Sequence, residues 1–211
     1  MASLEPQRWL DWCSRLQAIA QTGLTFTKDA YDIERYKAIR DIAAEMLAAG
    51  SDVELTRIRE LLTIDSGYAT PKVDVRGVVF RDDKILLVRE RSDGCWTLPG
   101  GWADLNESPA ENVVREIREE SGFETRVLKL LAVWDRSKHP HEPTFPFHVY
   151  KFFLRCEIIG GTAANSSETD GVDFFAENEL PELSITRITK AQIQRLFEHA
   201  RQPDLPTDFD P

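Results

Sequence analysis

Nothing in these 211 residues approaches the run of roughly 20 apolar side chains that a bilayer-spanning helix needs, so no membrane span is expected. The opening Met-Ala-Ser-Leu-Glu-Pro lacks the basic start and apolar stretch of a signal peptide, and a cytoplasmic location is the expectation. Cysteine is scarce. Cys13, Cys95 and Cys156 are odd in number, far apart and without metal-site spacing, which argues against a disulfide framework and reads as reduced thiols. No block of Lys or Arg stands out against a net charge of −10, so non-specific binding to nucleic acid or an anionic membrane is electrostatically unfavourable. What is there is ordinary for a globular chain: 42% hydrophobic and 29% charged residues, enough for one sizeable domain or one domain plus a small accessory.

The first part reads as helical. Residues 7–22 place Trp9, Trp12 (or Cys13), Leu16, Ile19 and Ala20 on one stripe of period near 3.6, and Gly23 suits a stop. A second helix is expected from Asp32 to Ala48, with Ile33, Tyr36, Ile39, Ala43, Met46 and Leu47 inward and Gly50 ending it. Ser51 and Glu54 have the spacing of a capping box for a third helix through Leu62. Three short helices make a marginal core alone, so the segment, taken as a domain over residues 1–66, is expected to pack on the rest of the chain or on a second copy.

The turn-rich Asp65-Ser-Gly-Tyr-Ala-Thr-Pro71 marks a boundary, after which a second domain is expected over residues 71–203. Val73–Phe80 and Ile85–Arg89 read as strands around the turn Arg81-Asp-Asp-Lys84, followed by strand-like runs at Arg126–Trp134, Phe147–Ile159 and Val172–Phe175. Helices are expected over 109–121 and 189–200, and the Pro/Asp-rich end from Arg201 is expected to fray. The long loop from Asp135 to Pro143 reads as a cover for a ligand, with His139 and His141 exposed on it.

Gly101 to Phe123 carries the chemistry. Ser108 is an N-cap, Pro109 sits at the first helical position, Glu111 closes a capping box, and Gly122 stops the helix. Glu116, Glu119 and Glu120, spaced i, i+3, i+4, share one face. Such carboxylates repel one another and sit at the helix end whose dipole disfavours negative charge. Two readings stand at this level: a solvated acidic face, or hard oxygen ligands gathered for Mg²⁺ or Mn²⁺.

Spacing adds a further constraint. The segment fits Gly-x5-Glu-x7-Arg-Glu-U-x-Glu-Glu-x-Gly-U, with U a bulky apolar residue, at Gly101, Glu107, Arg115, Glu116, Ile117, Glu119, Glu120, Gly122 and Phe123. A chance match in a chain this long is on the order of 10⁻⁷ from average residue usage. The segment resembles the box of the Nudix hydrolases, and Cys95-Trp-Thr-Leu-Pro-Gly-Gly101 resembles the strand and loop leading into it. That resemblance implies an α/β/α sandwich with a mixed, partly closed sheet, here preceded by a small all-α domain. It also implies Mg²⁺ or Mn²⁺ on Glu116 and Glu120, with Glu119 as a further ligand or as positioner of the attacking water, and the Gly100 carbonyl in the shell. By the same resemblance Arg115 would join the catalytic set by pairing with Glu107 and holding the loop on the helix, and Glu168, before the Val172–Phe175 strand, is the candidate outside base, or else a loop carboxylate in water. Asn106 stands where many members have glycine, a position whose left-handed backbone Asn tolerates.

Trp9-Leu-Asp-Trp12, Leu16–Leu24, Asp29–Tyr36, Pro71–Arg76 and Trp96–Asp104 resemble the helical extension and core of one Nudix subgroup. It implies a homodimer that hydrolyses a nucleoside diphosphate linked to X, of the CDP-choline or ADP-ribose type, to a nucleoside monophosphate and phosphorylated X. Arg76, a lone charge in an apolar strand, is a candidate for substrate phosphate or for an intramolecular carboxylate. Trp102, with Trp96 and Trp134, is a candidate wall for the X group, as an aromatic cage would be for choline. Two alternatives belong to other classes: an RNA-directed Nudix enzyme, a 5′-end pyrophosphohydrolase or nuclease, which the acidic charge disfavours, and a non-catalytic nucleotide sensor, which the intact box disfavours.

Overall fold

The computed structural model describes residues 6–51, 53–142 and 147–210, and side chains from Trp9 onward. The chain forms two compact units, the first ending at Pro71 and including also Phe147 and His148, the second made of the rest.

The first unit holds α1 (Pro6–Phe26), α2 (Ala30–Ala49) and α3 (Leu55–Ile64). Its core gathers Cys13, Ala44, Leu47, Ile58 and Leu62. In α1 the most buried positions are Cys13, Gln17 and Ala20, while Ile19 is 55% exposed. The buried face is thus rotated from the one that apolar spacing alone suggests. Gln17 explains it: its amide donates to the Leu62 carbonyl at 3.0 Å, satisfying a group that the end of α3 would otherwise leave open. A polar residue with a partner can therefore sit where the periodicity reads surface.

Helix α2 begins two residues earlier than expected, because the Asp29 carboxylate accepts from the Asp32 backbone N–H and caps it. The expected Ser51–Glu54 capping box does not form. Glu54 is itself the residue before α3, without a side-chain cap, and the Ser51 hydroxyl donates back to the Leu47 carbonyl at 2.8 Å. Ser51 serves the end of α2 instead.

The second unit holds β1 (Lys72–Arg81), β2 (Lys84–Glu90), β3 (Trp96–Thr97), α4 (Pro109–Ser121), β4 (Phe123–Asp135), β5 (Val149–Gly161), β6 (Thr169–Phe175), α5 (Lys190–Arg201) and β7 (Asp208–Phe209). The sheet runs β3-β2-β1-β5-β4-β7, with β6 also on β2. It is mixed: β1 and β5 are parallel, as are β4 and β7, and the other pairings are antiparallel. Asp82 and Asp83, both at positive φ, make the two-residue turn between β1 and β2, the geometry that matches strand twist.

Helices cover both faces. Val113 and Ile117 of α4 pack on Val75, Val79, Leu86 and Leu154. On the other side Ile193, Leu196 and Phe197 of α5 pack with Val78, Ile85, Leu87 and Phe153. Alternate residues of β1 thus feed opposite layers, as the period of two requires. Each fully buried Leu or Ile here contributes roughly 1.5–3 kcal/mol over exposure. The sheet with helices on both faces, preceded by a helical region, is the α/β/α arrangement that the Nudix resemblance implied.

Further expectations fail. The C-terminal end is not frayed. Asp208 takes a two-pronged hydrogen bond from Arg195 at 2.6 and 2.8 Å and pairs with His199, Thr207 donates to the Leu130 carbonyl, and β7 extends the sheet. His141 is buried, 4% exposed, with Nδ1 on the Ile185 carbonyl at 2.8 Å, and His139 pairs with Asp210. Both histidines are held by segments some 44–71 residues away in sequence, which no local pattern reveals. Residue 143, the expected end of that loop, lies outside the described residues. Strand β5 begins at Val149 rather than Phe147.

Candidate active site

Helix α4 forms as its sequence dictates. The Ser108 hydroxyl accepts from the Glu111 N–H, the Glu111 carboxylate accepts from the Ser108 N–H, and Gly122 leaves the helix at φ 77°. Asn106 lies at φ 67°, the left-handed region. The packing of Val113 and Ile117 on the sheet then sets the rotation of α4, and with it where the carboxylates lie.

Gly100, Trp102, Arg76, Arg115, Glu116, Glu119, Glu120 and Glu168 all line one cleft of about 730 Å³ in the second unit. Arg115 is its organising cation. Its guanidinium reaches Asp104 at 2.7 Å, Glu116 at 2.8 Å, and Glu107 and Glu119 at 3.1 Å. So many acceptors hold Arg115 firmly charged.

Glu120 differs from its neighbours. It is 6% exposed, and among the described residues its carboxylate accepts one hydrogen bond, from the Gly100 N–H at 2.9 Å. Burial pushes its carboxyl up to about 8, against the pull of Arg76 and the Gly100 N–H. Burial also raises Glu116 and Glu90. Among the described residues no three His, Cys, Asp or Glu side chains already converge in a metal-holding arrangement; Arg115 engages Glu116 and Glu119 instead.

Gly100 is required by space. It lies at φ 135°, and a Cβ there would sit 2.0 Å from the Val75 carbonyl oxygen. Only glycine lets this loop pass β1 closely enough to point its N–H at Glu120.

Arg76 has its cation largely spent within the protein: two hydrogen bonds to Asp74 at 2.9 and 2.8 Å and one to the Leu98 carbonyl at 3.1 Å. Asp74 also accepts from Lys151 at 2.6 Å. Burial works to raise the Asp74 carboxyl, but Arg76 and Lys151 outweigh it and hold it at about 2. Lys151 moves in the same direction for the opposite reason. Burial drives its ammonium down to about 8, with help from Arg76 and Arg136, against the attraction of Asp74. One anion facing two cations gains from the arrangement, while each cation faces a second one.

Glu168 is exposed, on a turn before β6. Its neighbour Thr169 is fully buried and donates to the Glu120 carbonyl at 2.7 Å. Trp102 is half exposed at the rim and forms an isolated bridge with Asp74. Sequence reasoning missed Lys151, Glu90, Arg136 and Arg187, which also line the cleft. Lys151 had a signal, a lone charge in the apolar run Val149–Leu154, the same criterion that picked out Arg76. The other three carry none, because strand ends and loops are rich in charge anyway.

A sheet flanked by helices, with a loop–helix segment presenting clustered carboxylates to a cationic floor, suits an enzyme that handles a polyanion. Comparison with known proteins gives the family. Residues 70–197 match the NUDIX domain, and residues 7–62 match a family described as a UDP-X-like, N-terminal oligomerisation domain. This chain belongs to the Nudix family and is a Nudix hydrolase. A Bacillus subtilis protein provisionally named an ADP-ribose pyrophosphatase is 48% identical over 96% of this chain and 97% of its own length. An ADP-ribose pyrophosphatase of Methanocaldococcus jannaschii is 36% identical over 56% of this chain and 69% of its own. Among solved structures, a UDP-X diphosphatase is 38% identical with a TM-score of 0.63, covering 98% of this chain and all of that one.

Proposed function

We propose that this hydrolase cleaves the phosphoanhydride bond of a nucleoside diphosphate linked to X, of the ADP-ribose or CDP-choline type, releasing a nucleoside monophosphate and phosphorylated X. The observation that carries the reading is the cleft itself. Three carboxylates of one helix line it together with Arg76, Lys151, Arg136 and Arg187, a charge pattern suited to a diphosphate and its counter-cations. The names of the B. subtilis, M. jannaschii and UDP-X relatives support the same substrate class.

The donor set fits Mg²⁺ or Mn²⁺: hard oxygen ligands from Glu116, Glu119 and Glu120 and the Gly100 carbonyl, with Glu120 buried and, among the described residues, held by a single N–H partner. The chemistry such an ion supplies is neutralisation of diphosphate charge and acidification of water. The chain's own residues do the rest. Glu119, half exposed beside Arg115, or Glu168 on its turn takes the proton of the attacking water. Arg115 keeps Glu107, Glu116 and Glu119 in register on the loop and helix. Arg76 offers the substrate its remaining positive field, and Trp102 at the rim offers a face to X.

The N-terminal domain, residues 1–66, serves as an association element and residues 71–203 as the catalytic domain, and the active form is a homodimer. Ile19, Phe26, Tyr31, Ile42 and Ile64 are exposed apolar side chains of the helical unit, in a region that matches an oligomerisation family. Sedimentation equilibrium giving twice the 24.1 kDa chain mass is the expected outcome; a monomer at micromolar concentration would remove this part.

The activity is tested on ADP-ribose, CDP-choline, UDP-glucose, a nucleoside triphosphate and a 5′-triphosphorylated RNA with Mg²⁺ or Mn²⁺, beside Glu120→Gln. Nucleoside monophosphate from the diphosphate-linked compounds, lost in the variant, is expected. Cleavage of RNA alone would sink the reading.

A further inference from the structure

The register of the two central parallel strands sets Asp74 of β1 directly beside Lys151 of β5. Both line the cleft and both are buried, Lys151 to 2% exposure. An ammonium has three N–H donors. Asp74 takes one of them at 2.6 Å, and among the described residues it is the only hydrogen-bonding partner that Lys151 has.

Asp74 does not need Lys151 for neutrality. Arg76 already meets both its oxygens, at 2.9 and 2.8 Å. Asp74 is thus shared between two cations, and among the described residues Lys151 has no second carboxylate within hydrogen-bonding distance. A buried charge without a counter-charge is expensive and tends to neutralise or to find a partner. A structural ion pair accounts for one cation here, not for two. Arg76, Glu120 and Lys151 line the same cleft, and the Arg76 cation feels the Glu120 carboxylate as well as that of Asp74. An anion that occupies the space before that face is the natural second partner.

We propose that Lys151 is a substrate-holding residue whose ammonium donates to a non-bridging oxygen of the substrate's diphosphate, with Asp74 as the positioning residue that aims it. The inference rests on the cleft being the hydrolytic site for nucleoside diphosphate-X compounds. Burial lowers the affinity of Lys151 for its proton, and an oxyanion beside the ammonium would offset that cost. An ammonium there suits a phosphate oxygen as a point charge, in contrast to the two-pronged fork of Arg76.

The test compares wild type, Lys151→Met and Lys151→Arg on UDP-glucose and UDP-glucuronate, with folding checked by circular dichroism. Loss of a charge-assisted hydrogen bond is expected to raise KM by roughly 10- to 100-fold on both compounds, with kcat changed little and with Lys151→Arg, which keeps the charge but not the compact ammonium, less affected than Lys151→Met. An unchanged KM in folded Lys151→Met overturns the proposal. A loss confined to UDP-glucuronate also overturns it, by assigning Lys151 to an anionic group of X. A second arm needs no methionine variant. In wild type carrying ¹³C-labelled lysine, the Lys151 side-chain resonance, assigned through Lys151→Arg, is expected to shift when inorganic pyrophosphate is added, with Mg²⁺ or with a chelator. No shift under either condition overturns the proposal. If wild type cleaves none of the diphosphate-linked compounds, the reading of the cleft fails by itself, and the pyrophosphate arm still decides whether Lys151 is an anion-holding group.

Discussion

The Thr169 hydroxyl donates to the Glu120 carbonyl at 2.7 Å, joining the turn that bears Glu168 to the last turn of the helix that bears the acidic cluster. Two segments 49 residues apart are thereby fixed to each other at one buried atom pair. The carbonyl is one that a helix end leaves open, so the bond has both a structural and a positional effect.

Replacing that threonine tests both. In Thr169→Val the Glu120 carbonyl stays buried without a donor, and a stability loss of about 1–3 kcal/mol is expected. The rate at saturating substrate should fall severalfold, since Glu168 and Glu120 lose their common anchor. Thr169→Ser keeps the hydroxyl and should stay near wild type in urea unfolding and in steady-state rate. A valine variant as active and as stable as wild type would remove the coupling.

Gly100→Ala is expected to be severe. The added methyl would lie 2.0 Å from the Val75 carbonyl, and the residue would hold φ 135°, which side chains strongly disfavour. Strain of this kind costs on the order of 3 kcal/mol or more. The loop should relax by moving off β1, which takes the Gly100 N–H away from Glu120. Chemical denaturation and activity should therefore drop together. Full stability in this variant would mean the loop passes β1 differently.

Acid stability should carry the mark of Asp74. Its carboxyl is held at about 2, below the ordinary 3.8, so the unfolded chain takes up its proton first as pH falls. The contribution is fully present above the unfolded value and is lost as pH drops from about 4 through 2. The shift corresponds to roughly 2 kcal/mol. Asp74→Asn should be less stable than wild type at pH 6, with the gap narrowing toward pH 2 in denaturant titrations. A gap that stays constant over that range would show that its charge is not what matters.

The C-terminal strand offers a fourth check. Asp208 meets Arg195 and the wholly buried His199, so Asp208→Asn weakens a buried contact as well as a charged one. A loss of about 1–3 kcal/mol is expected in urea unfolding. Hydrogen exchange should quicken at β7 and along its partner Ala132–Val133 in β4. Unchanged exchange there would place the anchoring elsewhere in the tail.

How much of this was legible before the fold was seen depends on how local the cause was. Helix α4 was read to the residue, because Ser108, Glu111 and Gly122 act within a few positions of one another. The hairpin at Asp82–Asp83 was equally local. The face of α1 was misread because Gln17 is buried through Leu62, 45 residues on. The tail and His141 were misread for the same reason: Asp208, Asp210 and Ile185 act at a distance. In the cleft, the residues of the Nudix spacing were found by pattern, whereas Lys151 and Glu90 enter it only through strand pairing. Local chemistry was readable; partners chosen by topology were not.

The parallel pairing of β1 with β5 has an evolutionary consequence. Side chains alternate along a strand, so sliding β5 by one residue would exchange Lys151 for a neighbour facing the other layer. The charges beneath the cleft are therefore protected by the same hydrophobic alternation that holds the two helical layers apart, and drift in the strands is penalised twice. Trp102, Arg136, Thr186 and Glu168 sit outside the strands and carry no such double constraint. Descendants of this chain can accordingly vary what the mouth of the cleft admits while inheriting an unaltered floor.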